Sequence, residues 1–97
     1  MTNITLTQPA VKWFQKEMNT KPGDYIRFYA RYGGISPIHP GFSIGITKSE
    51  QPYEVAVQTQ ENGVTFFIEE TDKWYFDGYD LHVKFSRKDD QIKYEYR

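Results

Sequence analysis

The chain contains no cysteine among its 97 residues. Disulfides are thereby excluded, and so are zinc sites and metal clusters held by thiolates from this chain alone. It also lacks an excess of either charge: 12 Lys and Arg against 13 Asp and Glu leave a net charge of −1. That balance excludes the broad electrostatic attraction on which non-specific binding to nucleic acid or anionic membrane depends. No apolar run approaches the length of a membrane span, and Met1-Thr2-Asn3-Ile4-Thr5-Leu6 lacks the basic and apolar regions of a signal peptide. The expectation is a cytoplasmic protein that binds neither nucleic acid nor membrane.

What is present is aromatic. Seven Phe, eight Tyr and two Trp supply large buried areas to a chain whose length allows one domain, residues 1–97, resting on packing alone.

The stretch from Tyr25 to Ile46 organises the rest. Ile26, Phe28, Ala30 and Tyr32 alternate with Tyr25, Arg27, Tyr29 and Arg31, the period of a two-faced strand. Gly33-Gly34 removes two side chains in succession and allows positive φ or close approach. Pro37, Pro40 and Gly41 shape the loop before Phe42, Ile44 and Ile46 resume the alternation. A loop held between two strands is where a small domain carries a site.

Before this hairpin, Ile4-Thr5-Leu6 reads as a short strand and Thr7 as an N-cap. Pro9 fits a first turn, and Ala10, Val11, Phe14 and Met18 give one amphipathic helix over about Gln8 to Met18. After it, Tyr53, Val55, Val57 and Thr59 alternate, Asn62-Gly63 signals a tight turn, and Val64, Phe66 and Ile68 alternate again. Thr71 is placed to cap one short helical turn bearing Trp74 and Tyr75, which Asp77-Gly78 ends. Leu81, Val83 and Phe85 form a strand, Arg87 to Gln91 a charged turn, and Ile92, Tyr94 and Tyr96 a last edge strand. The connections are too short for the crossovers of a parallel sheet. The predicted class is α+β: a mostly antiparallel sheet, open sandwich or half-barrel, with an N-terminal helix and a short second helix.

Arg27-Phe28-Tyr29-Ala30-Arg31-Tyr32-Gly33-Gly34-Ile35-Ser36 and Pro40-Gly41-Phe42-Ser43-Ile44-Gly45 come first in a longer order. Gly63-Val64-Thr65-Phe66-Phe67-Ile68-Glu69 and Trp74-Tyr75-Phe76-Asp77-Gly78-Tyr79-Asp80-Leu81 follow. Over about Thr5 to Phe85 this order resembles the HesB-like domain of A-type iron–sulphur cluster carriers, and it is most similar to the short, uncharacterised branch found in low-GC Gram-positive bacteria. The resemblance implies the fold, a place in iron–sulphur assembly and a protein partner there. It also implies a departure. Where the carriers have a cysteine after the glycines, this chain has Ile35, and where they have a C-terminal Cys-Gly-Cys, it ends Lys93-Tyr94-Glu95-Tyr96-Arg97. Isoleucine offers no lone pair to iron, so the family's cluster ligands carry over to nothing here and no cofactor is expected.

Three functional readings follow. In the first, the chain is a non-enzymatic accessory protein of iron–sulphur assembly that cannot hold a cluster by itself. In the second, it is a binding module whose loop, through Tyr32, Gly33, Gly34, Ile35, His39 and Phe42, recognises a protein or a small ligand. In the third, His39, His82 and a carboxylate (Glu69, Asp77 or Asp80) gather a non-haem iron. Against this stand plainer readings, with His39 a solvent-facing loop residue and His82 an exposed strand residue. The face of Tyr25, Arg27, Tyr29 and Arg31 either stacks single-stranded bases or pairs with its own sheet neighbours. The carboxylates Glu69, Glu70 and Asp72 read as an acidic helix start rather than an acid/base pair, because no apolar surroundings are evident. No nucleophilic triad or phosphate loop is present in the pattern.

Overall fold

In the computed structural model, which describes residues 2–97, the alternating segments become strands and the one segment of helical period becomes a helix. The order is β1 (Ile4–Leu6), α1 (Gln8–Glu17), β2 (Tyr25–Tyr32), β3 (Phe42–Ser49), β4 (Val55–Glu61) and β5 (Val64–Glu69). A 3-10 turn (Glu70–Asp72), α2 (Lys73–Phe76), β6 (Leu81–Ser86) and β7 (Gln91–Tyr96) complete it.

Thr7 caps α1 as its side chain accepts from the Ala10 N–H at 3.3 Å, with Pro9 in the first turn. The helix ends one residue before Met18, which donates its N–H to Phe14 O, and Asn19 takes a left-handed φ of 53°. Ala10, Val11 and Phe14 are buried. At the β4–β5 hairpin Asn62 and Gly63 adopt φ of 52° and 78°, the two successive positive values that a tight turn of the type I′ kind requires.

The strands form two sheets, β1-β6-β7 and β3-β2-β5-β4. Most pairings are antiparallel, but β1–β6 and β2–β5 are parallel. Short connections do not forbid these, because neither pair is consecutive: β3 and β4 lie between β2 and β5, and nearly the whole chain lies between β1 and β6. Phe14 of α1 meets Phe66 edge-on at 5.1 Å and Phe28 at 6.2 Å. These three rings, with Ile26, Ile68, Leu81 and Val83, make up much of the core. Each such side chain contributes about 2–3 kcal/mol relative to exposure. Phe67 points away from that core yet is buried, with the Tyr25 ring edge-on to it at 6.3 Å.

Two local expectations give way. Tyr53 lies outside β4 and is 95% exposed, because the register slips at a bulge between Val55 and Val57. Thr71 does not cap a helix; it falls within the 3-10 turn. No helix among the described residues is long and apolar enough to cross a membrane.

Candidate functional site

β2 and β3 run side by side through their full length, from Tyr25 opposite Ser49 to Tyr32 opposite Phe42. The loop between them is closed at its base. Gly33 N–H donates to Gly41 O at 2.7 Å, Ser43 Oγ donates to Gly33 O at 3.0 Å, and the Phe42 N–H donates to His39 O at 3.2 Å. Gly33, Gly34 and Gly41 have φ of 102°, 77° and 82°, values that side-chain-bearing residues rarely adopt. A Cβ on Gly34 would stand 2.7 Å from Ser43 Oγ, so the close approach itself requires glycine. Ile38 N–H donates to the Ser36 hydroxyl at 3.2 Å, turning the chain inward.

The result is a loop whose apex is presented to solvent. Ile35 is 96% exposed and Tyr32 86%. His39 does not stand free in solvent. It is half-buried, 5.2 Å from the Trp74 ring and 5.4 Å from that of Tyr75. Phe42 packs edge-on against both Tyr32 at 5.6 Å and Trp74 at 5.1 Å. The loop therefore rests on α2 through an aromatic relay that no sequence period reveals.

A charged contact holds α2 there. Asp72 accepts from Arg27 Nη2 at 2.6 Å and from the Ala30 N–H at 3.3 Å. β5 pairs with β2 only as far as Arg27, and the Asp72 carboxylate takes over the next stretch of β2 edge after β5 turns away. The acidic cluster is thus a helix start, with Glu70 and Asp72 in the first turn of the 3-10 segment, but two of its carboxylates turn inward. Asp72 and Glu69 are both buried, and Glu69 accepts from the Tyr53 and Glu54 N–H groups at 3.0 and 3.2 Å. On the same sheet face, Arg27 sits 5.5 Å over the Tyr29 ring, so two of the residues offered for base stacking serve the sheet instead.

His82 lies on β6, where its Nδ1 shares a 2.7 Å hydrogen bond with Thr5 Oγ1 of the neighbouring β1. Nothing draws it to His39. Among the described residues no three His, Asp or Glu side chains converge as metal ligands.

β5, β2 and the neighbouring loops end at one pole of the molecule. Tyr32 and Ile35 stand there, Trp74 reaches it through Phe42, and Tyr53 reaches it through Glu69. Tyr79 lies beside Tyr96 at 6.4 Å, and Tyr96 closes a groove with Pro37 and Ile38 of the loop. These five are the exposed large apolar side chains of the described residues. Sequence reasoning found Tyr32 and Ile35 but not Tyr53, Trp74 or Tyr79. The one signal for those three was their place in polar, turn-rich segments, where a large aromatic has little to bury against.

A family model described as iron–sulphur cluster biosynthesis matches residues 2–93. The chain belongs to this family. It is 43% identical over 95 residues to the pyruvate dehydrogenase inhibitor of Bacillus subtilis, covering 98% of this chain and 99% of that one. An uncharacterized protein of Staphylococcus saprophyticus is 33% identical over 94 residues, covering 94% of this chain and 95% of that protein. Among solved structures, Escherichia coli SufA, involved in biosynthesis of iron–sulphur clusters, superposes with a TM-score of 0.62 at 16% identity over 97% of this chain and 85% of SufA. IscA with a [2Fe-2S] cluster gives 0.59 at 12% identity, over 97% and 80%.

The fold of this family member is therefore that of the cluster proteins, whereas its donor set is not. The loop that in the carriers bears a cysteine and the C-terminal strand that follows its partners do meet, at the groove of Ile38 and Tyr96. They bring isoleucine, proline and tyrosine together, and burial drives the Tyr96 phenol well above its ordinary range, with the Tyr75 hydroxyl adding to the rise. A neutral phenol held protonated is no substitute for a thiolate. The residues do not fit an iron–sulphur cluster.

Proposed function

We propose that this chain is a non-enzymatic member of the iron–sulphur cluster biosynthesis family that acts in the cytoplasm by binding a protein, and that it inhibits pyruvate dehydrogenase. The observation that carries this reading is the 43% identity, end to end, with a relative named for that inhibition. Two features of the chain support it. The chain has no thiol with which to hold a cluster, which leaves the same loop open to another use. The end of the molecule that carries Tyr32, Ile35 and Trp74 also offers what a protein interface needs at its centre: large exposed apolar side chains, with Ile35 on a loop whose base is fixed before binding.

The test adds the purified chain to the Bacillus subtilis pyruvate dehydrogenase complex and follows NADH formation. A saturable fall in rate is expected, and Ile35→Asp together with Tyr32→Asp raises the half-inhibiting concentration on the order of tenfold or more. An unaltered rate at large molar excess of the chain rejects the reading.

A further inference from the structure

A second surface lies at the opposite pole, where α1 faces the turn between β6 and β7. Residues 9, 12, 13, 16 and 17 of α1 follow the helical i, i+3, i+4 spacing and form a stripe beside the buried face of Ala10, Val11 and Phe14. Across from it, Phe85 continues the inward row of Leu81 and Val83 beyond the core, and Arg87 and Asp90 come from the turn. Between them is an open cleft of about 320 Å³, within the range of small-molecule sites.

Its lining is of mixed character. Trp13 and Phe85 give aromatic surface, and Trp13 is half-buried and braced edge-on by Phe14 at 5.0 Å, so its ring is held in place. Lys12, Lys16 and Arg87 bring three cations. The ion pairs among the described residues use Arg27, Lys48, Lys84, Lys93 and Arg97, and none of these three. Glu17 and Asp90 line the same cleft. The three cations and two carboxylates leave the lining with a net charge of +1, and each sign offers its own partner. The matching ligand places an anionic end against the cations, a planar ring against Trp13 and Phe85, and hydroxyl or amino donors against the two carboxylates.

We propose that this cleft binds a nucleoside diphosphate. A diphosphate carries roughly two to three negative charges at neutral pH, comparable to the three cations, and the ribose and base supply the donors and the stacking surface that a carboxylate metabolite lacks. This site is distinct from the partner-binding pole and does not depend on it.

Titration of the wild-type chain with ADP by calorimetry tests the proposal. So does tryptophan fluorescence of Trp74→Phe, which leaves Trp13 as the reporter. Saturable binding and quenching of Trp13 are expected, with adenosine and pyrophosphate each weaker on the order of tenfold, since each lacks one half of the recognition. Lys12→Gln with Lys16→Gln, both exposed and safe for the fold, is expected to weaken ADP by a similar factor. Three results overturn the assignment: no saturation at millimolar ADP, ADP affinity unchanged in the double lysine variant, or pyrophosphate binding as tightly as ADP.

Discussion

Tyr29 lies across Gly45, its cross-strand partner on β3, so closely that a Cβ built on Gly45 would stand 2.2 Å from the ring. The ring covers the backbone that glycine leaves bare, and neither residue can change size alone. Gly45→Ala is expected to cost about 1–3 kcal/mol, the usual penalty for forcing extra volume into a packed site. Urea unfolding should show a lower midpoint with an unchanged slope. An alanine variant as stable as wild type would mean that the ring is free to move aside.

The Asp72 carboxylate serves two partners, and removing it leaves both the Arg27 guanidinium and the Ala30 N–H without an acceptor. Asp72→Ala should therefore destabilise by about 3 kcal/mol. Arg27→Ala should cost less, because the arginine side chain is 34% exposed against 11% for the aspartate and its pairing is partly screened. Comparing the two variants by denaturant midpoint checks the order as well as the size.

Acid and alkali should each weaken the fold through a named group. Hydrogen bonds from Lys84 first, then Arg97, hold Glu95 down at about 2 against 4.5 for the free side chain. Its contribution is present above pH 4.5 and is lost as the pH falls towards about 2. Glu95→Gln should flatten that part of the stability curve, and salt should shrink it. Burial pushes Tyr94 up to about 12 from 10, so its contribution is complete below pH 10 and is lost as the pH rises towards about 12. Phenolate absorbance in the folded chain should reveal this late-titrating tyrosine, and Tyr94→Phe should remove its step near pH 12 while leaving the still later one of Tyr96.

Gly34→Ala meets both a φ of 77° and Ser43 Oγ at 2.7 Å. Since Ser43 Oγ also holds Gly33 O, the loop base should open locally, at a cost of about 1–2 kcal/mol from the left-handed backbone alone. Inhibition of pyruvate dehydrogenase should weaken together with stability. Ile35→Asp should instead leave stability unchanged while weakening inhibition, because the side chain is almost wholly in solvent. Thermal unfolding alongside the NADH assay separates the two effects.

Local chemistry was sufficient for several elements. Thr7 and Pro9 announce the start of α1, and Asn62-Gly63 announces its hairpin because those residues accept positive φ and few others do. The Tyr32 to Phe42 loop was equally visible, since three glycines and two prolines leave a short chain few routes between paired strands. Glu69 and Asp72 could not be placed in this way. Their partners, Tyr53 and Arg27, stand 16 and 45 positions away, and a carboxylate reads as exposed until its hydrogen-bond donors are known. The setting of His39 was hidden for the same reason, as the rings it rests on belong to α2.

The sequence by itself determined that this chain has no thiolate to offer iron, however it folds, because it contains no cysteine. It also determined the strand and turn order, because these depend on near neighbours and on the period of side chains along a backbone. Only the tertiary structure decided that β2 and β5 run parallel, that Asp72 and Glu69 face inward, and that Trp74 joins Tyr32 across Phe42 from a separate segment. Such contacts join residues tens of positions apart, and their energies exist only once the two sheets have closed over Phe14.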